Sequence, residues 1–293
     1  MYYIYLVSTV FLSASSSLFG GFYGRMTKGK RDASALYSFI VCSAAFLGWI
    51  GLFLTDPSFD MGVIPYSVGF GLSYAMCQFG LINALRTGPV ALTTLMLNLS
   101  LIATVIWGFI FWDAKFSALA VVGLVLVAIS FWLCLSTKKK SDKGGEKKIS
   151  LKWFIYSLFA FAGNAGCSII QKTQQMKFGG QHGKIMMVFA IMFSVVFTLV
   201  VYLRSNKADT AAIVKSPAVI MPIGAGLLNV LLNLFVIILA TSPISPSIIY
   251  PVIAVGGLSV SSIFTLAVFK EKLHWWQWLG IAVGATAVAL LSI

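Results

Sequence analysis

Acidic residues are scarce in this chain, and none stands where an ion path needs one. The eight are Asp32, Asp56, Asp60, Asp113, Asp142, Glu146, Asp209 and Glu271, and all fall between apolar runs or at their ends. A charge in mid-membrane is expensive and marks proton or ion pathways. Its absence argues against carboxylate-driven proton exchange. Histidine is nearly missing too. His182 and His274 stand apart at run ends, which leaves no metal site to propose. The four cysteines, Cys42, Cys77, Cys134 and Cys167, each lie inside an apolar run, with no CxxC pair. They read as small buried hydrophobes. No Gly-rich phosphate loop and no serine–histidine–acid pattern is present, so neither an enzyme nor a cofactor is expected. Charged residues make up 10% of the chain against 59% hydrophobic, whereas a soluble domain carries about 25% charged. That leaves too little charge to cover a water-exposed surface.

What is present is a series of apolar runs. Ten spans are predicted, at about 2–22, 34–54, 62–83, 90–111, 116–136, 152–171, 184–203, 217–240, 247–268 and 274–292. Each is long enough to cross a bilayer, which takes about 20 residues. None shows the period-two alternation of a barrel strand. The expected fold class is an all-α membrane protein. Span 1 has small residues after an apolar start, as a signal peptide does. No positive residue precedes it, and Arg25, Lys28, Lys30 and Arg31 follow it. It therefore reads as a retained span.

Lys and Arg sort by loop. Of the 21, 17 lie in loops 1–2, 3–4, 5–6, 7–8 and 9–10, and 4 in the alternate loops. The positive-inside rule puts the first set in the cytoplasm and both termini outside. Lys172, Lys177 and Lys184 in loop 6–7 form the one sizeable exception. The net charge of +13 is explained by orientation and by contact with anionic membrane lipid, so no nucleic-acid partner is expected. The expected location is a bacterial plasma membrane.

The hydrophilic, basic segment 137–150 (TKKKSDKGGEKKIS) divides the chain near its middle. Residues 1–136 and 151–293 then hold five spans each. An offset of 157 maps Pro89 onto Pro246, Lys115 onto Lys272, Gly123 onto Gly280 and Ala128 onto Ala285. This predicts a duplication. Five spans is an odd number, so the halves lie in opposite orientations. Inverted repeats of this kind are a transporter device, with the solute site near the midplane between the halves.

Two five-span halves, closed by FKEKLHWWQWLGIAVGATAVALL, resemble the drug/metabolite transporter superfamily, specifically its EamA-like branch. In that branch an acid commonly ends the fourth span of each half, and a Gly-containing fifth span follows. Glu271 and Gly280 match that pattern. In the first half Asp113 stands one position away, with Ala114 in the expected place. The segment ALRTGPVALTTLMLNLSL at the start of span 4 is similar as well. The resemblance implies a cavity surrounded by spans 1, 3, 4, 6, 8 and 9. It also implies a homodimer contact through spans 5 and 10. Many members keep both termini inside, the reverse of the charge count here.

Neutral polar residues supply the candidate site. Asn98 and Asn164 lie near the middle of spans 4 and 6. Asn229 and Asn233 share one face of span 8, and Tyr74 and Gln78 one face of span 3, by their four-residue spacing. Amides in hydrocarbon need partners. They are read as a ring around a solute, with interhelical bonding as the alternative. Tyr250 joins the substrate-binding set at the outer end of span 9. Pro246 and Pro251 are read as a gate or hinge there, because a proline within a span frees a carbonyl and kinks the helix. Gly256 and Gly257 permit close packing or a second bend. Gly20–Gly24 and Gly280–Gly284 have the spacing of helix-packing motifs. Trp275, Trp276 and Trp278 read as an interfacial belt. The expected function is secondary transport of a small neutral or zwitterionic metabolite by alternating access. The alternative is a lipid-linked carrier flippase or scramblase.

Overall fold

Within a bilayer every backbone N–H and C=O has to be satisfied inside its own segment, which makes helices of these runs. The computed structural model of the chain describes residues 2–112, 118–135, 150–240 and 275–290, with isolated positions between 242 and 268. These residues are almost all helical and include no strand. The helices are α1 (Tyr2–Met26), α2 (Ala33–Leu54), α3 (Ile64–Thr87), α4 (Val90–Leu99), α5 (Leu101–Phe111) and α6 (Ala118–Leu135). They continue with α7 (Leu151–Lys177), α8 (Gly183–Leu203), the short α9 (Thr210–Val214), α10 (Ile220–Ala240) and α11 (Trp275–Leu290). Short 3-10 turns, Met61–Val63 and Pro217–Val219, lead into α3 and α10. Among the described residues six stretches are long and apolar enough to cross a membrane: Tyr2–Met26, Ala33–Leu54, Met61–Thr87, Leu151–Lys177, Gly183–Leu203 and Pro217–Leu239. The chain has the build of an integral membrane protein. Residues 136–149, Asp113, Lys115, Glu271, Pro246, Tyr250 and Pro251 lie outside the described residues.

Two predicted boundaries need correction. Span 4 is not one continuous helix but α4 and α5, interrupted at Ser100. There Ser100 N–H donates to the Leu97 carbonyl (3.3 Å) and Ala103 N–H to the Ser100 carbonyl (3.1 Å). Both bonds have the tighter three-residue spacing. Span 6 ends at Lys177 rather than 171. Gln, Lys and Met propagate a helix well, and hydropathy alone cut it short. The stop is a left-handed turn. Gly179 and Gly180 have φ of +58° and +81°, and Gly180 N–H donates back to the Gln175 carbonyl at 2.9 Å.

α3 is the hub of the packing. It runs against α7 and α8, α10 runs against α1 and α2, α2 also meets α8, and α6 pairs with α11. At the α3–α7 crossing a Cβ on Gly80 would stand 2.6 Å from the Ala160 nitrogen. Small residues let the two backbones meet. Ser130 Oγ donates to the Gly280 carbonyl at 2.7 Å, and a Cβ on Gly284 would meet the same Oγ. The Gly280–Gly284 motif thus packs on α6 within the chain. Gly20 and Gly24 pack on Leu85 and Arg86 of α3. Cys42, Cys77 and Cys167 are buried free thiols, as expected.

The loops sort to two ends. At one, Arg86 donates to Ser34 Oγ (2.6 Å), the Thr27 carbonyl (3.2 Å) and the Lys30 carbonyl (2.5 Å). Thr210 Oγ1 donates to Asp32 Oδ2, and Asp32 is 2% exposed. This end gathers loops 1–2, 3–4 and 7–8. At the other end Lys184 pairs with Asp56 at 3.2 Å, and Lys177 Nζ lies 5.6 Å from the Tyr66 ring centroid. Loops 2–3 and 6–7 meet there. The grouping is the one that alternating spans require.

Candidate functional site

Helical periodicity separates a bilayer face from an interior face on each long helix. On α10, Ile220, Ile223, Leu227 and Leu231 are exposed. Asn229 and Asn233 fall on the other side. Asn233 Nδ2 donates to the Asn229 carbonyl (2.9 Å) and to Asn229 Oδ1 (3.0 Å). The two amides share one face, as their four-residue spacing requires, and bond each other within the helix. On α3, Leu72 is exposed, while Tyr74 and Gln78 are buried. Tyr74 stacks on Phe70 at 6.2 Å and shares a cluster with Trp49, Cys167 and Val230 of α10. Tyr74 Oη and Trp49 Nε1 have no hydrogen-bond partner among the described residues. A buried polar atom left so costs about 1–3 kcal/mol.

Asn164 is placed differently. Its Nδ2 donates to Ser100 Oγ (2.7 Å) and the Leu97 carbonyl (3.3 Å). It bonds the interruption between α4 and α5, sharing the Leu97 carbonyl with the Ser100 N–H. The Asn98 side chain lies outside the described residues, although its backbone is in α4. Of the proposed hinge, Gly256 and Gly257 are described. A Cβ on Gly256 would stand 2.8 Å from Val10 Cγ2 of α1, and Gly257 is buried. Gly256 is thus close-packed against α1.

Sequence reasoning missed a polar stripe on α7. Ser157, Asn164, Ser168, Gln171 and Gln175 recur at helical spacing, away from the exposed Ile155, Leu158 and Met176. Extending span 6 beyond residue 171 was the signal that reveals it. Ser157 Oγ and Gln171 Nε2 are buried without a partner among the described residues, and so is Thr104 Oγ1 on α5. A separate groove of about 380 Å³ lies between α1 and α10, lined by Val7, Ser8, Phe11, Leu12, Ser15, Leu231 and Phe235. Among the described residues no group of His, Cys, Asp or Glu is arranged to hold a metal ion.

No family model matches the chain, and no curated protein does. Among solved structures, 28 chains are similar. One, described as "Crystal structure of protein", has a TM-score of 0.61 at 12% identity, over 97% of this chain and 96% of that chain. At that identity the likeness is one of fold alone, and it extends over almost the full length of both chains.

Proposed function

We propose that the chain is a secondary transporter that moves a small neutral or zwitterionic metabolite by alternating access. Its ten spans form two inverted five-span repeats. The observation that carries this reading is the exchange symmetry of the helix pairs. Swapping each span with the one five later turns α3–α7 into α10–α1, and α3–α8 into α10–α2. The α2–α8 and α6–α11 pairs map onto themselves. Such interlocked halves have the geometry to rock about a shared midplane site. The interior-facing Tyr74, Gln78, Asn229 and Asn233 offer donors and acceptors there, and the resemblance to the EamA-like branch points the same way. The basic loops are assigned to the cytoplasm and both termini to the outside. A homodimer would use the outer faces of α6 and α11, since the Gly280–Gly284 seam is occupied within the chain. Purified protein in liposomes should move a radiolabelled solute from a broad metabolite panel. No flux for any member of such a panel would overturn the proposal.

One observation favours a second reading. The groove between α1 and α10 brings the Ser8 and Ser15 hydroxyls beside exposed apolar side chains, as a lipid-linked carrier flippase would need. Transbilayer movement of a fluorescent lipid-linked sugar, with no flux of soluble metabolites, would select it.

A further inference from the structure

Alternating access requires the Arg86 end to open as well as the Lys184 end. The three acceptors of Arg86 all belong to residues 1–136, so those bonds stay whole when the halves separate. Two hydrogen bonds that do cross between the halves tie α9 to the 1–2 loop. Arg31 N–H donates to Asp209 Oδ2 at 3.1 Å. Tyr202 Oη donates to Thr210 Oγ1 at 3.3 Å, which leaves the Thr210 proton for Asp32 Oδ2. Trp153 Nε1 on Thr93 Oγ1 (2.9 Å) crosses too, but it joins α7 to α4 and involves neither α9 nor the 1–2 loop. Beside the polar ties, Ile213 of α9 and Ala218 of the 3-10 turn are fully buried, in one cluster with Tyr23, Leu36 and Tyr37 of the first half. A five-residue helix does not hold itself. α9 is a plug, seated by those two side chains and tied by the two hydrogen bonds.

The acid in this latch has an unused oxygen. Asp32 reads as a loop residue in the sequence, yet it is 2% exposed. Its Oδ1 has no partner among the described residues, and neither has the buried Nε of Arg86. The two atoms are complementary, an acceptor on an anion and a donor on a cation. They are also neighbours, because Arg86 binds the Lys30 carbonyl on one side of Asp32 and Ser34 Oγ on the other. Other groups at this point are engaged. Tyr23 Oη donates to the Ala33 carbonyl at 2.7 Å, and Asp209 accepts from Arg31. The Asp32 carboxylate therefore has two partners in reach, Thr210 of the second half and Arg86 of its own. We infer that α9 is the gate at the Arg86 end and that Asp32 is its switch, bonded to Thr210 while the gate is shut and to Arg86 Nε when α9 lifts away. The second bond replaces the first, so opening does not strand a buried carboxylate, and the two positions make a bistable element. This rests on the transport reading and names a moving part for it.

The test uses the full chain in liposomes, with its four cysteines replaced by alanine and nitroxide labels on Lys28→Cys in the 1–2 loop and Ala212→Cys on α9. Both positions are exposed. Double electron–electron resonance reads the distance between the labels, and the label-only protein should show mainly a short one. Thr210→Val should raise the ratio of a longer distance to the short one about tenfold, the effect of one charge-assisted hydrogen bond. Thr210→Ser keeps the hydroxyl and should not. Adding Asp32→Asn to Thr210→Val should cut the rise to about threefold, since a bond with one ionic partner fewer is about half as strong. Asp209→Ala cuts the other tether, leaves the buried acid alone and should raise the ratio too. No rise in either Thr210→Val or Asp209→Ala, with only a lowered melting temperature, makes these contacts structural and overturns the gate. A rise that Asp32→Asn leaves intact overturns the switch. Liposome flux keeps this apart from the transport reading. Arg31→Cys with Asp209→Cys, joined by a short bismaleimide, should stop every member of a radiolabelled metabolite panel that the unjoined protein moves. Undiminished flux through the joined protein overturns the gate and leaves transport standing. The stated distance changes with no flux of any member overturn transport and leave the moving element standing.

Discussion

The two ends of the helix bundle are held by different physics. At one end the Arg86 guanidinium reaches a hydroxyl and two backbone carbonyls, and the nearly buried Asp32 accepts from Thr210. These bonds join α3 to the 1–2 loop, and the 1–2 loop to α9. At the other end the Lys184–Asp56 pair faces solvent, with the Asp56 side chain 76% exposed. The remaining ties there are the buried Ser67 hydroxyl on the Met186 carbonyl (3.0 Å), and cation–π and edge-to-face aromatic contacts such as Phe59 with Phe189 at 6.1 Å. Hydrogen bonds to a charged group contribute about 1.5–3 kcal/mol when desolvated, whereas an exposed ion pair contributes about 0–1 kcal/mol. The Lys184 end, without a charge-assisted bond that is shielded from water, is therefore the weaker clasp, and under the proposed rocking motion it is the end expected to part first.

Arg86→Ala should have the largest effect. It strands the carbonyls of Thr27 and Lys30, and the loss should be about 3 kcal/mol from charge-assisted bonds. The melting temperature in detergent reads it. Arg86→Lys should recover less than half, because an ammonium lacks the planar fork. Recovery in full by Lys would show that charge alone, not the bond geometry, holds this end. Thr210→Val comes next. It removes a donor from a buried carboxylate and should cost about 2 kcal/mol; a loss no larger than that of Lys184→Ala would erase the distinction between the ends. Lys184→Ala should cost under about 1 kcal/mol, and the difference should vanish near 0.5 M salt, where the screening length is a few ångström. A loss that persists in high salt would make the Lys184 end as firm as the other. Glu271→Gln is expected to change least. Glu271 stands between Lys270 and Lys272 at a span end, where water and salt screen it, so the pH profile of transport should be unaltered. A flattened profile in that variant would assign it a proton-carrying role.

The helices were largely legible because a bilayer allows apolar runs few other conformations. The buried thiols and the shared face of Asn229 and Asn233 followed from residue type and spacing. Other features depend on partners far away in the chain. Nothing local to Ser100 announces an interruption, because serine is tolerated in a membrane helix and the amide that bonds it, Asn164, is 64 residues away. Arg86 read as an orientation signal in a short loop. Its three acceptors lie on another loop and helix start, so their meeting was invisible. The polar end of α7 was lost for the opposite reason: hydropathy treats 172–177 as loop, although Gln175 there continues a polar face that begins at Ser157. Asn164, taken as a solute ligand, bonds the Ser100 interruption, and its neighbours on that face carry the unpartnered atoms.

The central claim is that solute passes because the halves rock, with the Lys184 end opening. Its most direct test is transport before and after that end is clamped. Asp56→Cys with Lys184→Cys, joined by a short reducible bis-methanethiosulfonate reagent, ties the 2–3 loop to α8. The parent chain with the same reagent is the control, since its described cysteines are buried. Flux in liposomes of the solute found by the metabolite panel should stop on cross-linking and return on reduction, while the parent keeps its rate. Undiminished flux through the cross-linked protein would contradict the account.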